Sequence, residues 1–262
     1  ILDQGATVLC CTPTYALHLA EVAGKEGVDL RASKVRVILV AGEPGGSLPA
    51  TRARIEALWP GAQVRDHHGM TEVGPVSYEC PARPGVLHVI EASFIAEVVD
   101  PPTGQAVSPG QTGELVLTTL HRIGSPLLRY RTGDLVKAPA EGVCICGTSD
   151  HALEGGILGR ADDMVLVRGV NIFPSAVEEI IRRCPGVVEY QVRFDASRPL
   201  AELSIQIEPA ADCPDVRAVV KRVENELEST FHLRMPVAAV APGTLPRFEM
   251  KARRWIKVGS PG

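Results

Sequence analysis

Val35, Val37, Ile38, Leu39 and Val40 form one apolar run, broken only by Arg36, that passes directly into Ala41-Gly42-Glu43-Pro44-Gly45-Gly46. Side chains alternate between faces along a strand, so a run apolar on both faces needs cover on both, as in a parallel sheet layered with helices. The neighbouring segments supply those helices. An apolar strand at 7–11 is followed by Thr12 and Pro13, a cap and first-turn proline for a helix to about Ala23. Ser47 with Pro49 opens a second helix, Trp59-Pro60-Gly61 stops it, and 63–67 reads as the next strand. Residues 1–75 are expected to form an α/β layer.

Two other patterns follow. Residues 76–159 carry short β runs at 94–99, 113–119 and 135–137 between turn clusters such as Asp100-Pro101-Pro102-Thr103-Gly104, with no helix signal of useful length. A small β-barrel-like region or antiparallel sheet is expected there. In residues 160–262, Pro174 opens a helix with Val177, Ile180, Ile181 and Cys184 at helical spacing. Strands at 187–194 and 201–208, then a helix with Val216, Val219, Val220, Val223 and Leu227 on one face, complete a C-terminal α+β domain.

Composition narrows the function classes. Aromatic residues are only 4% of the chain, which argues against stacked platforms for single-stranded nucleic acid, and a net charge of −4 gives no reason to expect nucleic-acid binding. No apolar run approaches the roughly 20 residues of a membrane span. The charge is uneven, however. From Leu233 onward Arg234, Arg247, Lys251, Arg253, Arg254 and Lys257 face a single acid, Glu249, which reads as a solvated end or as a patch for an anionic ligand. The 7 cysteines come without a signal peptide or compact disulfide spacing, so reduced thiols in a cytoplasmic protein are expected. Cys10, Cys11, Cys184 and Cys213 lie in apolar patterns and read as core.

Four segments carry chemistry. The first is Gly42-Glu43-Pro44-Gly45-Gly46, at the carboxyl end of a buried strand, where open α/β sheets bind ligands and glycines admit a planar group to the backbone. The second is Asp66-His67-His68-Gly69-Met70-Thr71-Glu72. Its hydroxyl and carboxylate beside a glycine suit a phosphate oxygen and Mg²⁺, whereas adjacent histidines on a strand face opposite ways and chelate poorly. The third is Arg129-Tyr130-Arg131-Thr132-Gly133-Asp134, whose acid is either a turn residue or an acceptor for a ribose diol. The fourth is Gly159-Arg160-Ala161-Asp162-Asp163-Met164, followed by Val167-Arg168-Gly169-Val170-Asn171-Ile172-Phe173-Pro174. It lies at the boundary of the last domain, where a charged, glycine-flanked stretch is either a hinge or an ordinary linker.

In this order the four resemble the motifs of the adenylate-forming superfamily of acyl-CoA ligases and peptide-synthetase adenylation domains, most closely the phenylacetate–CoA ligase family. Leu245-Pro246-Arg247-Phe248-Glu249-Met250-Lys251 looks like that family's terminal lysine segment, so the resemblance spans the chain. It implies the adenylate-forming fold and an AMP-forming reaction. In that reaction ATP, a small aromatic carboxylic acid and CoA give acyl-CoA, AMP and diphosphate through an acyl-adenylate. The implied partners are those small molecules, with no nucleic acid or membrane, and a homodimer is among the assemblies allowed.

Carried over residue by residue, the resemblance implies that Gly42, Glu43 and Pro44 line the adenine pocket with His68 and Gly69. Thr71 would contact the α-phosphate, Glu72 would hold Mg²⁺, Asp134 would bind the ribose hydroxyls and Arg160 would approach the nucleotide. Asp162 would be the hinge. Lys251 would bridge carboxylate and α-phosphate oxygens as both gain charge. Two positions depart from the family pattern: His68 stands where a Tyr usually stacks on adenine, and Met250 where a Gly precedes the lysine. The family's upstream Ser/Thr/Gly-rich loop for the terminal phosphates has no counterpart here. The chain is therefore expected to be the C-terminal portion of a longer ligase, with the N-terminal part missing, and by itself need not be active. The rival readings are an enzyme that adenylates a natural-product or cofactor acid, and a non-catalytic nucleotide-binding module.

A fifth constellation stands apart from the resemblance. Cys80 and His88, then Cys144 and Cys146, offer three thiolates and an imidazole, a donor set that suits tetrahedral Zn²⁺. Both pairs fall in the helix-poor region that most needs a staple. The alternative is scattered reduced cysteines and a surface histidine.

Overall fold

The computed structural model describes residues 1–140, 142–197, 201–249 and 251–259. The chain divides into two compact units, Ile1–Asp162 and Asp163–Gly262.

The first unit opens with a three-stranded parallel sheet in the order β1-β2-β3, from β1 (Val8–Cys11), β2 (Val37–Val40) and β3 (Gln63–Asp66), with Val8 opposite Val37 and Val37 opposite Gln63. Helix α1 (Pro13–Lys25) starts where expected: the Thr12 side chain accepts the Tyr15 amide, and Pro13 sits in the first turn, where no donor is needed. Helix α2 (Pro49–Leu58) differs. Its cap is Leu48 with no side-chain hydrogen bond, because the Ser47 hydroxyl instead donates to the buried Asp66 carboxylate at 2.5 Å. Trp59 is fully enclosed with Ala16, Ile38, Ile55 and Val64, its indole N–H satisfied by the Ala16 carbonyl. Cys10, read as core, is exposed; along β1 exposed and half-buried positions alternate.

The region expected to be barrel-like resolves into antiparallel sheets. A hairpin of β4 (Gly69–Met70) and β5 (Gly74–Pro75) leads into β6 (Ser77–Glu79) and β7 (Val86–Val89). Then come β8 (Phe94–Val99), β9 (Thr112–Thr119), β10 (Tyr130–Lys137), β11 (Ala152–Glu154) and β12 (Gly159–Arg160). Four of them order as β12-β10-β9-β8 and three as β11-β7-β6. Leu87 and Val89 of β7, Leu115 and Leu117 of β9, Val136 of β10 and Leu153 of β11 share one core, so the two sheets are halves of one packing unit.

The second unit begins with a hairpin of β13 (Val165–Val167) and β14 (Val170–Ile172). Helix α3 (Pro174–Arg183), β15 (Val187–Asp195), β16 (Glu202–Pro209), α4 (Val216–Phe231), β17 (Val237–Ala239) and β18 (Trp255–Val258) follow. The strands order as β17-β16-β15-β18, antiparallel at the centre and parallel at both edges. Val177, Ile180 and Ile181 of α3 and Val219, Val223 and Leu227 of α4 bury the helical stripes read from the sequence against this sheet's Val192, Ile205 and Ile207. Val216, placed on the same stripe, is exposed in the first turn.

Candidate active site

The first two motifs occupy the carboxyl ends of adjacent parallel strands, because the loop after β2 holds Gly42 to Gly46 and the loop after β3 holds His67 to Glu72. The Glu43 carboxylate accepts the Thr14 amide at 2.8 Å. It therefore satisfies one of the free donors in the first turn of α1 and anchors the loop there, leaving Gly42 and Pro44 exposed. At the second loop, Gly69 lies so close to β5 that a Cβ would sit 2.7 Å from the Gly74 carbonyl oxygen. That tight pairing turns the chain so that Thr71 and Glu72 are exposed at the hairpin tip.

The third motif is a bulge in β10, where the pairing to β9 shifts between Arg131 and Leu135. Gly133 has φ 77° there, and a Cβ on it would lie 2.7 Å from the Arg160 guanidinium. Two side chains hold the bulge. Thr132 donates its hydroxyl to the Leu115 carbonyl at 2.8 Å and accepts the Asp134 amide at 3.0 Å. The buried Glu114 accepts the Gly133 amide at 3.0 Å and the Arg131 Nε–H at 2.9 Å.

The bulge presents Asp134, which is 8% exposed, to two partners. Its Oδ2 accepts from His68 Nε2 at 2.9 Å, and its Oδ1 lies 3.5 Å from Arg160 Nη1 across the β10–β12 pairing. Arg160 also forks onto Asp162, with Nε to Oδ1 at 2.9 Å and Nη2 to Oδ2 at 3.2 Å. The Glu72 carboxylate accepts the Tyr130 hydroxyl at 2.6 Å. That hydrogen bond, with a smaller contribution from the Arg160 charge, holds Glu72 below the usual carboxylate range, so it is an ionised oxygen donor at neutral pH. His68 Nδ1 is buried without a protein partner among the described residues.

Thus His68, Asp134, Arg160 and Asp162 join in one chain of contacts within the first unit, and Glu72 is tied to the start of β10 by Tyr130. Lys251 belongs to the second unit and is exposed; Met250 lies outside the described residues. The basic tail is not one free patch. Arg247 pairs with the buried Glu208 at 2.5 Å, and the buried Arg254 pairs with Glu189 at 2.6 Å and Glu178 at 3.6 Å, so two of its six cations neutralise internal acids. Sequence reasoning passed over Tyr130, Glu114 and the Ser47–Asp66 pair. The one signal available was setting: Glu114 leads directly into the apolar run Leu115-Val116-Leu117 of β9, where an acid needs partners.

The fifth constellation also converges. One ligand atom from each of Cys80, His88, Cys144 and Cys146 lies within 4.8 Å of the others.

Comparisons with known proteins agree along the chain. Residues 1–121 match the family model described as AMP-binding enzyme, and residues 169–257 the AMP-binding enzyme C-terminal domain. A phenylacetate-coenzyme A ligase of Thermus thermophilus is 36% identical over 95% of this chain, and one of Escherichia coli is 31% identical over 97%. The chain spans 59% and 58% of the lengths of those two relatives. Among solved structures, a 2-hydroxyisobutyryl-CoA ligase in the postadenylation state, in complex with R3-HIB-AMP, superposes with a TM-score of 0.92 at 30% identity. That match covers 98% of this chain and 56% of that one.

Proposed function

Because this chain belongs to the adenylate-forming superfamily, with the phenylacetate–CoA ligases among its relatives, we propose that it serves an AMP-forming acid–CoA ligase acting on a small aromatic carboxylic acid. In the first step a carboxylate oxygen attacks the α-phosphorus of ATP, and diphosphate leaves. In the second the CoA sulfur attacks the acyl carbon of the adenylate, AMP leaves, and the thioester forms.

The observation that carries this reading is the grouping of His68 and Glu72, beyond β3, with Asp134 of β10 and Arg160 of β12. Asp134 is a carboxyl acceptor that the bulge holds in place, suited to two ribose hydroxyls. His68 donates through Nε2 to Asp134, which fixes the imidazole ring that would stack on the base of the nucleotide. Glu43 acts in this reading as a positioning residue, since its carboxylate is engaged by α1, while Gly42 and Pro44 form the outer wall against adenine. Gly69 brings Thr71 to the α-phosphate. Glu72, ionised and exposed, fits Mg²⁺, a hard cation bound by one or two carboxylates together with phosphate oxygens. When bound, the ion would neutralise charge on the phosphates.

Lys251 is the residue proposed to meet the negative charge that grows on the α-phosphate and carboxylate oxygens. A flexible ammonium suits that task. Residues 163–262 act in this reading as a mobile domain hinged at Asp162, and the free thiols suit a reducing, cytoplasmic setting. The test separates the two steps in the full-length enzyme. Lys251→Ala is expected to slow acid-dependent diphosphate release by about 10²-fold or more, the scale for losing one transition-state charge contact. Thioester formation from supplied acyl-adenylate is expected to change far less. Equal loss in both steps would overturn the role given to Lys251, and diphosphate release that does not depend on an aromatic acid would favour the reading in which another acid is adenylated.

A further inference from the structure

Between β10 and β11 the chain runs through a turn-rich loop that buries little apolar surface. Val143 is 70% exposed and Ile145 80% exposed, so the hydrophobic effect gives this loop almost no anchor. The side chains that alternate with them point the other way. Cys144 and Cys146 are drawn in towards the β6–β7 hairpin, where Cys80 and His88 are fully buried. Cys144 Sγ lies 3.8 Å from Cys80 Sγ, and Cys146 Sγ lies 3.4 Å from His88 Nε2.

Those spacings can be tested against a tetrahedron. Zinc–sulfur bonds of about 2.3 Å and zinc–nitrogen bonds of about 2.0–2.1 Å give sulfur–sulfur edges of about 3.8 Å and sulfur–nitrogen edges of about 3.5 Å. Both observed separations fit. The sulfur–sulfur separation is also too long for a disulfide, whose sulfurs lie about 2.05 Å apart. The imidazole is set up for the same purpose: a carbonyl oxygen can only accept, so the Asp150 carbonyl, 3.0 Å from His88 Nδ1, keeps the proton on that nitrogen. The Nε2 lone pair is then directed at the sulfurs. The Arg83 guanidinium beside Cys144 offsets the net negative charge of three thiolates around a divalent ion.

We infer that Cys80, His88, Cys144 and Cys146 form a structural zinc site. Four protein ligands fill the tetrahedron and leave no position for a catalytic water. Its role is to pin the β10–β11 connection to β6 and β7. The anchor matters because the buried Glu79, next to Cys80, pairs with Arg52 of α2 and Arg65 of β3, so the pinned sheet is coupled to the parallel layer. The site does not depend on the nucleotide chemistry proposed above.

Elemental analysis of the protein purified under reducing conditions and dialysed against zinc is expected to find about one zinc per chain, lost to under about a tenth in the Cys144→Ser and Cys146→Ser variants. Cobalt(II) exchange into the parent protein should give the visible bands and sulfur charge-transfer absorption of a tetrahedral thiolate site, a signature that needs no variant to fold. Digestion should cut the 142–149 loop faster after chelation. Less than about a tenth of a zinc in the reduced, zinc-dialysed protein would overturn the inference, because structural zinc binds tightly at neutral pH. So would a full zinc that both serine variants retain, or a Cys80–Cys144 disulfide in place of metal uptake.

Discussion

Asp66 shows how much a single residue's meaning depends on what surrounds it. In the sequence it is one more acid ahead of two histidines. In the fold its carboxyl is buried, and that burial pushes it up to about 6 although the Ser47 hydroxyl favours the ionised form. The folded protein then binds a proton more tightly than the unfolded chain. The stability linked to Asp66 is therefore present below its ordinary value and lost as pH rises through about 6. Asp66→Asn, which keeps an oxygen for Ser47, is expected to raise stability by up to about 3 kcal/mol at pH 8 and to change it little at pH 4. Thermal melts at both pH values check this; equal effects at the two would mean that Asp66 is not shifted. Glu72 is the converse case. The resemblance marked it as a carboxylate of interest, but the partner that keeps it ionised, Tyr130, lies 58 positions away.

At the level of elements, local sequence rules placed the helices, although not the cap of α2 or the first-turn Val216 of α4. Thr12 caps α1, Pro49 and Pro174 sit in the first turns of α2 and α3, and the apolar stripes of α3 and α4 pack where a 3.6-residue period puts them. The β10 bulge was beyond those rules, since only its pairing with β9 and β12 reveals it. Gly133→Ala tests its importance. An alanine there must adopt φ 77° and crowd Arg160, so a loss of about 1–3 kcal/mol is expected in denaturant titrations, along with weaker AMP binding as Asp134 is displaced. Unchanged stability and affinity would show that the bulge tolerates a side chain and that Asp134 does not depend on it.

For the whole molecule, the two units keep separate cores: among the described residues, none of the cluster around Val192 and Ile205 comes from before Asp163. Each unit holds one of the chain's 2 tryptophans, Trp59 enclosed in the α/β layer and Trp255 on β18. Trp59→Phe and Trp255→Phe variants therefore give each unit its own fluorescence reporter. Their unfolding midpoints in urea are expected to differ, as for domains that melt independently. Coincident midpoints in both variants, matching the parent chain, would mean that the units unfold as one.

What is periodic or local in this protein was legible from residue order: three successive patterns of secondary structure, the helix starts, and the series of motifs that ties the chain to a superfamily. These rest on near neighbours and on residue types, so they survive without coordinates. Residue chemistry, together with the place of both pairs in the helix-poor region, also marked Cys80, His88, Cys144 and Cys146 as one donor set. Which groups meet across long separations became visible only in the folded chain. Ser47 turns from capping a helix to binding Asp66, Arg247 and Arg254 turn inward from a basic tail, and Asp134 gains His68 and Arg160. The physical reason is shared. A buried charge must find a partner, and which partner it finds depends on the strands and loops that the fold brings beside it.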